Sequence, residues 1–593
     1  MGLKLGFLVI FTIPTVWSLN CDKTFTYYEE YNQNSFNVTC KGITKGYEHI
    51  LENITINNEI SLSIINSTLD NVTPSIFKNV KNIRILNLID CVFNFDRNQA
   101  IFDKLHKLQR LRVQNTALEI ENATFRGLAA LKRLELRNNS VSIIEEGTFK
   151  ETPNIERLDI VDNQVESIED LSLCELKKLK FLNLEHNNIR NLKTFNFFCW
   201  KNSSIGVHIN NQPTRAPSIH FNVASISYEL VELDLGHNQI LDLGYSFENL
   251  EKLRTLNIGF NRLNNLKYIN LKWLFRLQKL NLTNNQLKIF DNRVFFNKSQ
   301  LTEVDLSFNE LNNFEASNVP QLQLLDLSFN NLSGLSLKNL TALNRLNIRC
   351  NQLTGFVVDV PNLLELNLAG NRFNITEQTF KNLFTLRFVS LQNNSISYIP
   401  DKTFHGLRML KHLDLSSNNI QKLTPETFHD LDNLETLKLS DNSLKTLNYL
   451  TVEPLSNLRN LDVAANKLIY IEYDVILSKL PNLNNINIKS NQLACEDLEK
   501  IIAFLKQRKI DYTSNEERHP ENLNENVAGI PCHSVVAKLE GKLMATGHGA
   551  LFNLGILVMV VLALVVTGII SYRFHIYLKR RRYRADEFEL VDE

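Results

Sequence analysis

The sequence predicts an α/β solenoid: short repeats stacked into one parallel sheet, with capped ends and one transmembrane helix. Three observations predict it. A leucine frame recurs along most of the chain, an apolar run of membrane length stands near the C-terminus, and cysteine pairs bracket both ends of the repeated region. The chain has 593 residues, with Lys+Arg and Asp+Glu equal at 64 each. That balance leaves no global field to recruit nucleic acid or an acidic membrane. Gly (20) and Pro (13) are too scarce for a collagen-like segment or long low-complexity linkers.

The elements follow in chain order. Residues 1–18 read as a secretory signal, with Lys4, an apolar stretch from Leu5 to Ile13, and a small-residue cleavage site at Val16-Trp17-Ser18. Residues 19–49 form an N-terminal cap containing Cys21 and Cys40. Repeats occupy 50–493, and a C-terminal cap over 494–533 contains Cys495 and Cys532. Open solenoid ends expose apolar core, and disulfides stiffen the small caps that cover them. Within the C-terminal cap, Asp497 to Arg508 reads as an amphipathic helix with Leu498, Ile501, Ile502 and Leu505 on one face. A polar juxtamembrane stalk over 534–550 leads to a transmembrane helix over 551–572, long enough for about 30 Å of hydrocarbon. Arg573, Lys579, Arg580, Arg581, Arg582 and Arg584 follow at once and place the 573–593 tail in the cytoplasm. The expected location is therefore the plasma membrane, single-pass type I, with the N-terminus extracellular.

Thirteen N-x-[ST] sequons agree with export, at Asn37, Asn53, Asn66, Asn71, Asn122, Asn138, Asn202, Asn281, Asn297, Asn331, Asn339, Asn374 and Asn393. Asn281 falls in an outward strand position, where a glycan would keep large ligands off the sheet centre. The repeats after Asn393 carry no sequon.

The repeat itself is L-x-x-L-x-L-x-x-N-x-[LIV], as in Leu131, Leu134, Leu136, Asn139 and Val141. Its Asn recurs from Asn139 to Asn491 at intervals of 20 to 25 residues, with a single gap of 51 between Asn187 and Asn238. That gap is read as hiding a degenerate repeat carrying Ile205, Val207 and Asn210. With Cys91 and Thr116 in the Asn slot of two earlier repeats, the total is about 18. Leu51-x-x-Ile54-x-Ile56 is a candidate further strand. The L-x-L core is a short strand with alternate residues buried. The Asn side chain suits a partly buried turn because it satisfies backbone groups there. Phe125, Phe149, Phe247, Phe380, Phe404 and Phe428 recur on the return leg and read as a stacked core spine. Phe260, Phe308 and Phe329 at strand ends read as rim packing.

This frame, with x-T-F-x-x-L ahead of it, resembles the typical leucine-rich repeat of animal extracellular proteins, such as Toll-like receptor ectodomains and neuronal adhesion proteins. The resemblance covers roughly residues 50–493 and implies a leucine-rich-repeat horseshoe with a concave parallel β-sheet. Many such proteins carry four cysteines in each cap, and this chain has two. The sparse caps, the Cys495-x-x-Leu498 helix and the featureless tail resemble the transmembrane class of the mosquito leucine-rich immune molecule family.

Catalysis is not expected. The chain lacks G-x-S-x-G, H-E-x-x-H, a Walker loop and G-x-G-x-x-G. His186 and His237 share a repeat slot but stand two repeats apart on this reading, too far to ligate one metal. Asp159, Asp234, Asp305, Asp326, Asp414 and Asp462 share a central strand position with Asn257, Asn281, Asn347, Asn367 and Asn487, so a polar residue facing solvent explains them better than acid–base work. No cofactor or metal is expected. Cys174 and Cys199 flank one repeat and can pair locally; Cys91 reads as an inert core thiol and Cys350 as a leftover one, either free or used between chains, with free the better reading.

A ligand surface is suggested by Arg110, Arg112, Arg133, Arg137 and Arg157, outward on three successive strands, with forks suited to carboxylate or sulfate. The bland alternative is a solvated face partly neutralised by Glu135 and Asp159. The expected function is a cell-surface recognition receptor or co-receptor for a protein or glycan ligand, in innate immunity. Its tail is too short for a signalling domain, so it would signal through a partner in cis; a dimer is compatible. The alternative is a cell-adhesion protein, homophilic or heterophilic, in neural or developmental contacts.

Overall fold

The computed structural model describes residues 21–28, 33–44, 60–192, 229–512 and 526–533, apart from 71, 95–99, 117, 119, 146, 168–172, 191, 244–246, 248–249 and 268–270. The signal, 51–59, 193–228, the stalk, 551–572 and the tail lie outside these residues. Among the described residues no helix is long and apolar enough to cross a membrane.

Among the described residues one 21-stranded sheet carries the repeats. Its strands are short because each repeat contributes one L-x-L segment and then turns away. Leu182, Leu233, Leu256 and Leu280, for example, occupy one register row and are all buried, while the residues beside them face outward. Burial of this kind is collective. Each leucine covers its counterparts one repeat before and after, so one continuous core forms that no single repeat could close.

The Asn slot works as a hydrogen-bond ladder. Asn418 Nδ2 donates to the carbonyls of Leu391 (2.9 Å), Leu415 (3.0 Å) and Ser416 (3.1 Å). Its Oδ1 accepts from the N–H groups of Asn394 and Ile396, both at 3.0 Å. One side chain thus serves five backbone groups in two repeats, all in a turn that water does not reach. Thr116 serves the same slot through its hydroxyl, donating to Gln114 at 2.8 Å, and Cys91 lies with its thiol 3.2 Å from the Ile89 carbonyl. Burial pushes the Cys91 thiol above its ordinary value, which keeps it protonated and inert. Ser67 fills the slot one repeat earlier, bonded to Ile43 and Ile65, in a repeat the leucine frame did not reveal.

Two expectations of register are corrected. The strand Phe181–Asn183 pairs directly with Glu232–Asp234, so no repeat built on Ile205, Val207 and Asn210 stands between them. The strand Ser61–Ile65 pairs with Gln33–Lys41, so none from Leu51 to Ile56 intervenes there. In both places a spacing that fits one more repeat spans a connection between adjacent strands.

On the return leg Phe125 stacks on Phe149, and Phe404 stacks on both Phe380 and Phe428, as the period predicts. Phe77 and Phe102 extend the spine to the N-terminal repeats. Where the repeat shortens, between Asn309 and Asn371, the return leg becomes extended. Asn313–Ser317, Gly334–Lys338 and Val357–Val358 form a separate three-stranded parallel sheet. An extended leg covers about 3.3 Å per residue, so it closes the same circuit with fewer residues.

The caps follow from the cysteines. Cys21–Tyr28 and Gln33–Lys41 form an antiparallel hairpin with Cys21 opposite Cys40, and the two are disulfide-bonded. Cys495–Arg508 is a helix that buries Leu498, Ile501, Ile502 and Leu505 against the last repeat. Cys495 is bonded to Cys532. The chain leaves that helix through Lys509 in the left-handed region and adds Asp511–Tyr512 to the sheet edge. Cys199 lies outside the described residues, so its expected bond to Cys174 does too. Cys91 and Cys350 are free.

Candidate functional site

Every repeat exits its strand in the same way. The residue before the Asn slot adopts a left-handed conformation, with φ of 55° at His186, 53° at His237, 56° at Phe260, 54° at Phe308, 55° at Phe329 and 55° at Cys350. This conformation is uncommon for bulky side chains. The ladder imposes it, because the N–H of that residue must reach the next strand, as His186 reaches Gly236 and Phe329 reaches Arg349. The consequence is a row of parallel side chains along the strand exits. His186 stacks on His237 at 4.1 Å, and His237 on Phe260 at 4.1 Å. Phe308 stacks on Phe329 at 4.2 Å, with the Arg349 guanidinium over the same ring. The phenylalanines lie along the rim as expected, but they are not covered: Phe260 is 43% exposed, Phe308 49% and Phe329 38%.

His186 and His237 are therefore not two repeats apart. Because their strands are immediate neighbours, their imidazoles touch, and Glu185 Oε1 stands 3.7 Å from one Nε2 and 4.0 Å from the other. Sequence reasoning placed a strand between them and so separated a cluster that the fold assembles.

Beside this row lies the central strand position. Its Asp and Asn residues do more than face water. Asp234 accepts from the Gly236 N–H, Asn257 from Gly259, Asn281 from Thr283, Asp326 from Ser328 and Asp414 from Ser416, all two residues on. Each carboxylate or amide caps the turn that leaves its strand. Asp305 and Asp326 are register partners. Burial pushes the Asp305 carboxyl up, its Ser307 hydrogen bonds pull it down, and Asp326 adds repulsion; the net direction is upward. The native chain therefore holds that proton more tightly than the unfolded chain. Stability falls as pH rises from the unfolded carboxyl value through the raised native one, and the loss is complete above the latter. Asp305→Asn keeps an acceptor for Ser307 and removes the charge. It is expected to raise the melting temperature at pH 7 and to lose that advantage in acid; a variant that melts lower at pH 7 contradicts this.

The five arginines fall on one face but are already engaged. Arg110 and Arg133 each lie 2.7 Å from Glu135, Arg112 lies 3.9 Å from it, Arg157 lies 2.9 Å from Asp159, and Arg137 lies 3.2 Å from Asp162. The Asp159 hydrogen bond pushes the Arg157 guanidinium still higher. Half-exposed pairs of this kind contribute about 0–1 kcal/mol each. They form a self-neutralising lattice rather than a row of free forks.

Of the sequons, Asn66, Asn122, Asn138, Asn297, Asn331, Asn339, Asn374 and Asn393 are exposed, while Asn53, Asn71 and Asn202 lie outside the described residues. Asn37 is half-buried on the N-terminal hairpin. Asn281 is half-buried too, with Thr283 bonded to Ser307 at 2.7 Å.

Comparison with known proteins follows the repeat. The family model described as Leucine rich repeat matches residues 106–165, 130–189, 361–420 and 408–468. The one described as BspA type Leucine rich repeat region (6 copies) matches 233–344. No curated protein sequence matches. Among solved structures, the Toll–Spatzle complex of Drosophila matches with a TM-score of 0.61 at 18% identity, over 81% of this chain and 68% of that one. The Leptospira interrogans leucine-rich-repeat protein LIC12759 matches at 0.53 and 23%, over 74% and 97%. The TLR13–ssRNA13 complex matches at 0.51 and 22%, over 70% and 66%. At these identities the likeness is one of fold.

Proposed function

We propose that this leucine-rich-repeat chain is a cell-surface recognition receptor or co-receptor that binds an extracellular protein or glycan ligand in innate immunity. The observation that carries the reading is the row of exposed, stacked rings at the strand exits. Rings held parallel by a backbone ladder lose little freedom on binding, and aromatic anchors of this kind concentrate binding energy at protein interfaces. The solenoid is a scaffold for interaction, and its polar strand residues are occupied in capping turns rather than poised for catalysis. Toll with Spatzle and TLR13 with a single-stranded RNA are complexes of the same fold. A balanced charge makes a protein or glycan the better ligand class here. Export by residues 1–18, anchoring by 551–572, glycosylation at the exposed sequons and a signalling partner in cis belong to the same proposal.

Full-length chain carrying an N-terminal epitope tag placed after residue 18 is to be expressed in cells that normally do not adhere. Staining of intact cells, a gel shift after glycosidase and no clustering among expressing cells are expected. Strong clustering of expressing cells with one another makes the chain an adhesion protein instead, and absence of staining before permeabilisation overturns the topology.

A further inference from the structure

We infer that Glu185, His186 and His237 form a binding site for a divalent transition-metal ion of the zinc class. The donor atoms of the three side chains all lie within 4.8 Å of one another. The two imidazoles are held side by side by backbone, not by chance rotamers. Both residues are in the left-handed exit position, the His186 N–H donates to the Gly236 carbonyl, and the His237 N–H donates to that of Gly259. The Phe308–Phe329 stack at 4.2 Å repeats the spacing without any ligating group, so the spacing belongs to the ladder. Glu185 is tied in as well, its N–H donating to Asn183 Oδ1 at 2.8 Å. Its counterpart on the next strand is Gly236, which carries no side chain to stand between the Glu185 carboxylate and His237.

Two imidazoles and a carboxylate make a borderline donor set that suits zinc, copper or nickel rather than calcium or magnesium. Tetrahedral coordination with bonds of about 2.0–2.1 Å requires donors about 3.3 Å apart. Closing the Glu185–His distances of 3.7 and 4.0 Å to that value requires the two rings, now stacked 16° from parallel, to tilt until both nitrogen lone pairs point at one ion, a movement open to half-exposed side chains. Three protein ligands on an open strand exit leave a coordination position facing solvent, available to water or to a side chain of a bound partner.

A second cluster, His405, His429 and Asp430, is the natural comparison. There the carboxylate is already committed. Asp430 Oδ2 accepts from the Gly406 N–H at 3.0 Å and lies 2.8 Å from His405 Nδ1, and the Arg408 guanidinium stands 3.6 Å from Oδ1. A metal would have to displace these partners beside a fixed positive charge.

The experiment is a Co(II) titration of the detergent-solubilised full chain, read by visible d–d absorption, followed by displacement with Zn(II). One ion bound by the native chain and displaced by Zn(II) is expected. His186→Phe with His237→Phe keeps the stack, since Phe occupies this exit position at 260, 308 and 329, and is expected to abolish the signal. Glu185→Gln is expected to weaken binding by about tenfold or more, and His405→Phe with His429→Phe to leave it unchanged. Retention of the signal in the His186/His237 double variant, with an unaltered melting curve, overturns the site. So does native binding weaker than about 1 mM. Neither result bears on whether the chain is a receptor.

Discussion

Asn418→Ala is expected to destabilise the solenoid by about 3–5 kcal/mol, out of proportion to an exchange of two small side chains. The change strands the Asn394 and Ile396 N–H groups and removes one partner each from the Leu391, Leu415 and Ser416 carbonyls. A buried group left without a partner costs about 1–3 kcal/mol, and two N–H groups lose theirs at once. Because solenoid repeats contact only their neighbours, the loss should be local. Hydrogen–deuterium exchange of the full chain should show faster exchange across residues 391–442, with the distant N-terminal repeats unchanged. Asn418→Thr should recover part of the loss, since Thr116 supports the same turn through its hydroxyl. If exchange over 391–442 is unaltered in the alanine variant, the ladder is not what holds the repeats together.

Phe404→Ala is expected to cost about 3–5 kcal/mol through the cavity it leaves. Phe404 is fully buried, with ring centroids 5.6 Å from Phe380 and 6.4 Å from Phe428. A ring between two rings has no solvent-facing side from which the structure can collapse to fill the space. Phe404→Leu should cost less, because it keeps most of the volume. Chemical denaturation with the transition followed by intrinsic fluorescence and by exchange provides the measurement. Combined with Phe428→Ala, the loss should differ from the sum of the two single losses, because the rings are in contact. Strict additivity, or a single loss under about 1 kcal/mol, contradicts a continuous spine.

Most of the fold was legible because a solenoid is a local object. The period of the leucines tells which face of each strand is buried, and the position of Asn139 or Asn418 within its repeat tells which turn it serves. Both follow from spacing alone, and the same spacing located the Phe spine, the capping helix and the cysteine pairs at the two ends. The left-handed exit residue was not legible. Nothing in the identity of His186, Phe260 or Cys350 announces a positive φ, since the ladder geometry rather than the side chain demands it.

Local spacing was enough to define the repeat, its buried and exposed positions and the places where it must be capped. These depend on residues a few positions apart, where alternation and turn chemistry leave little choice. Tertiary structure decided which strands are neighbours. The interval of 51 positions from Asn187 to Asn238 fits an added repeat as well as a connection, and only the pairing of Phe181–Asn183 with Glu232–Asp234 chooses between them. That choice is made by hydrogen bonds between segments far apart in the chain, to which local spacing is blind. With it came the contact of His186 with His237 beside Glu185. The same kind of long-range packing closed Arg110, Arg133 and Arg157 onto Glu135 and Asp159, turning a row of outward charges into pairs.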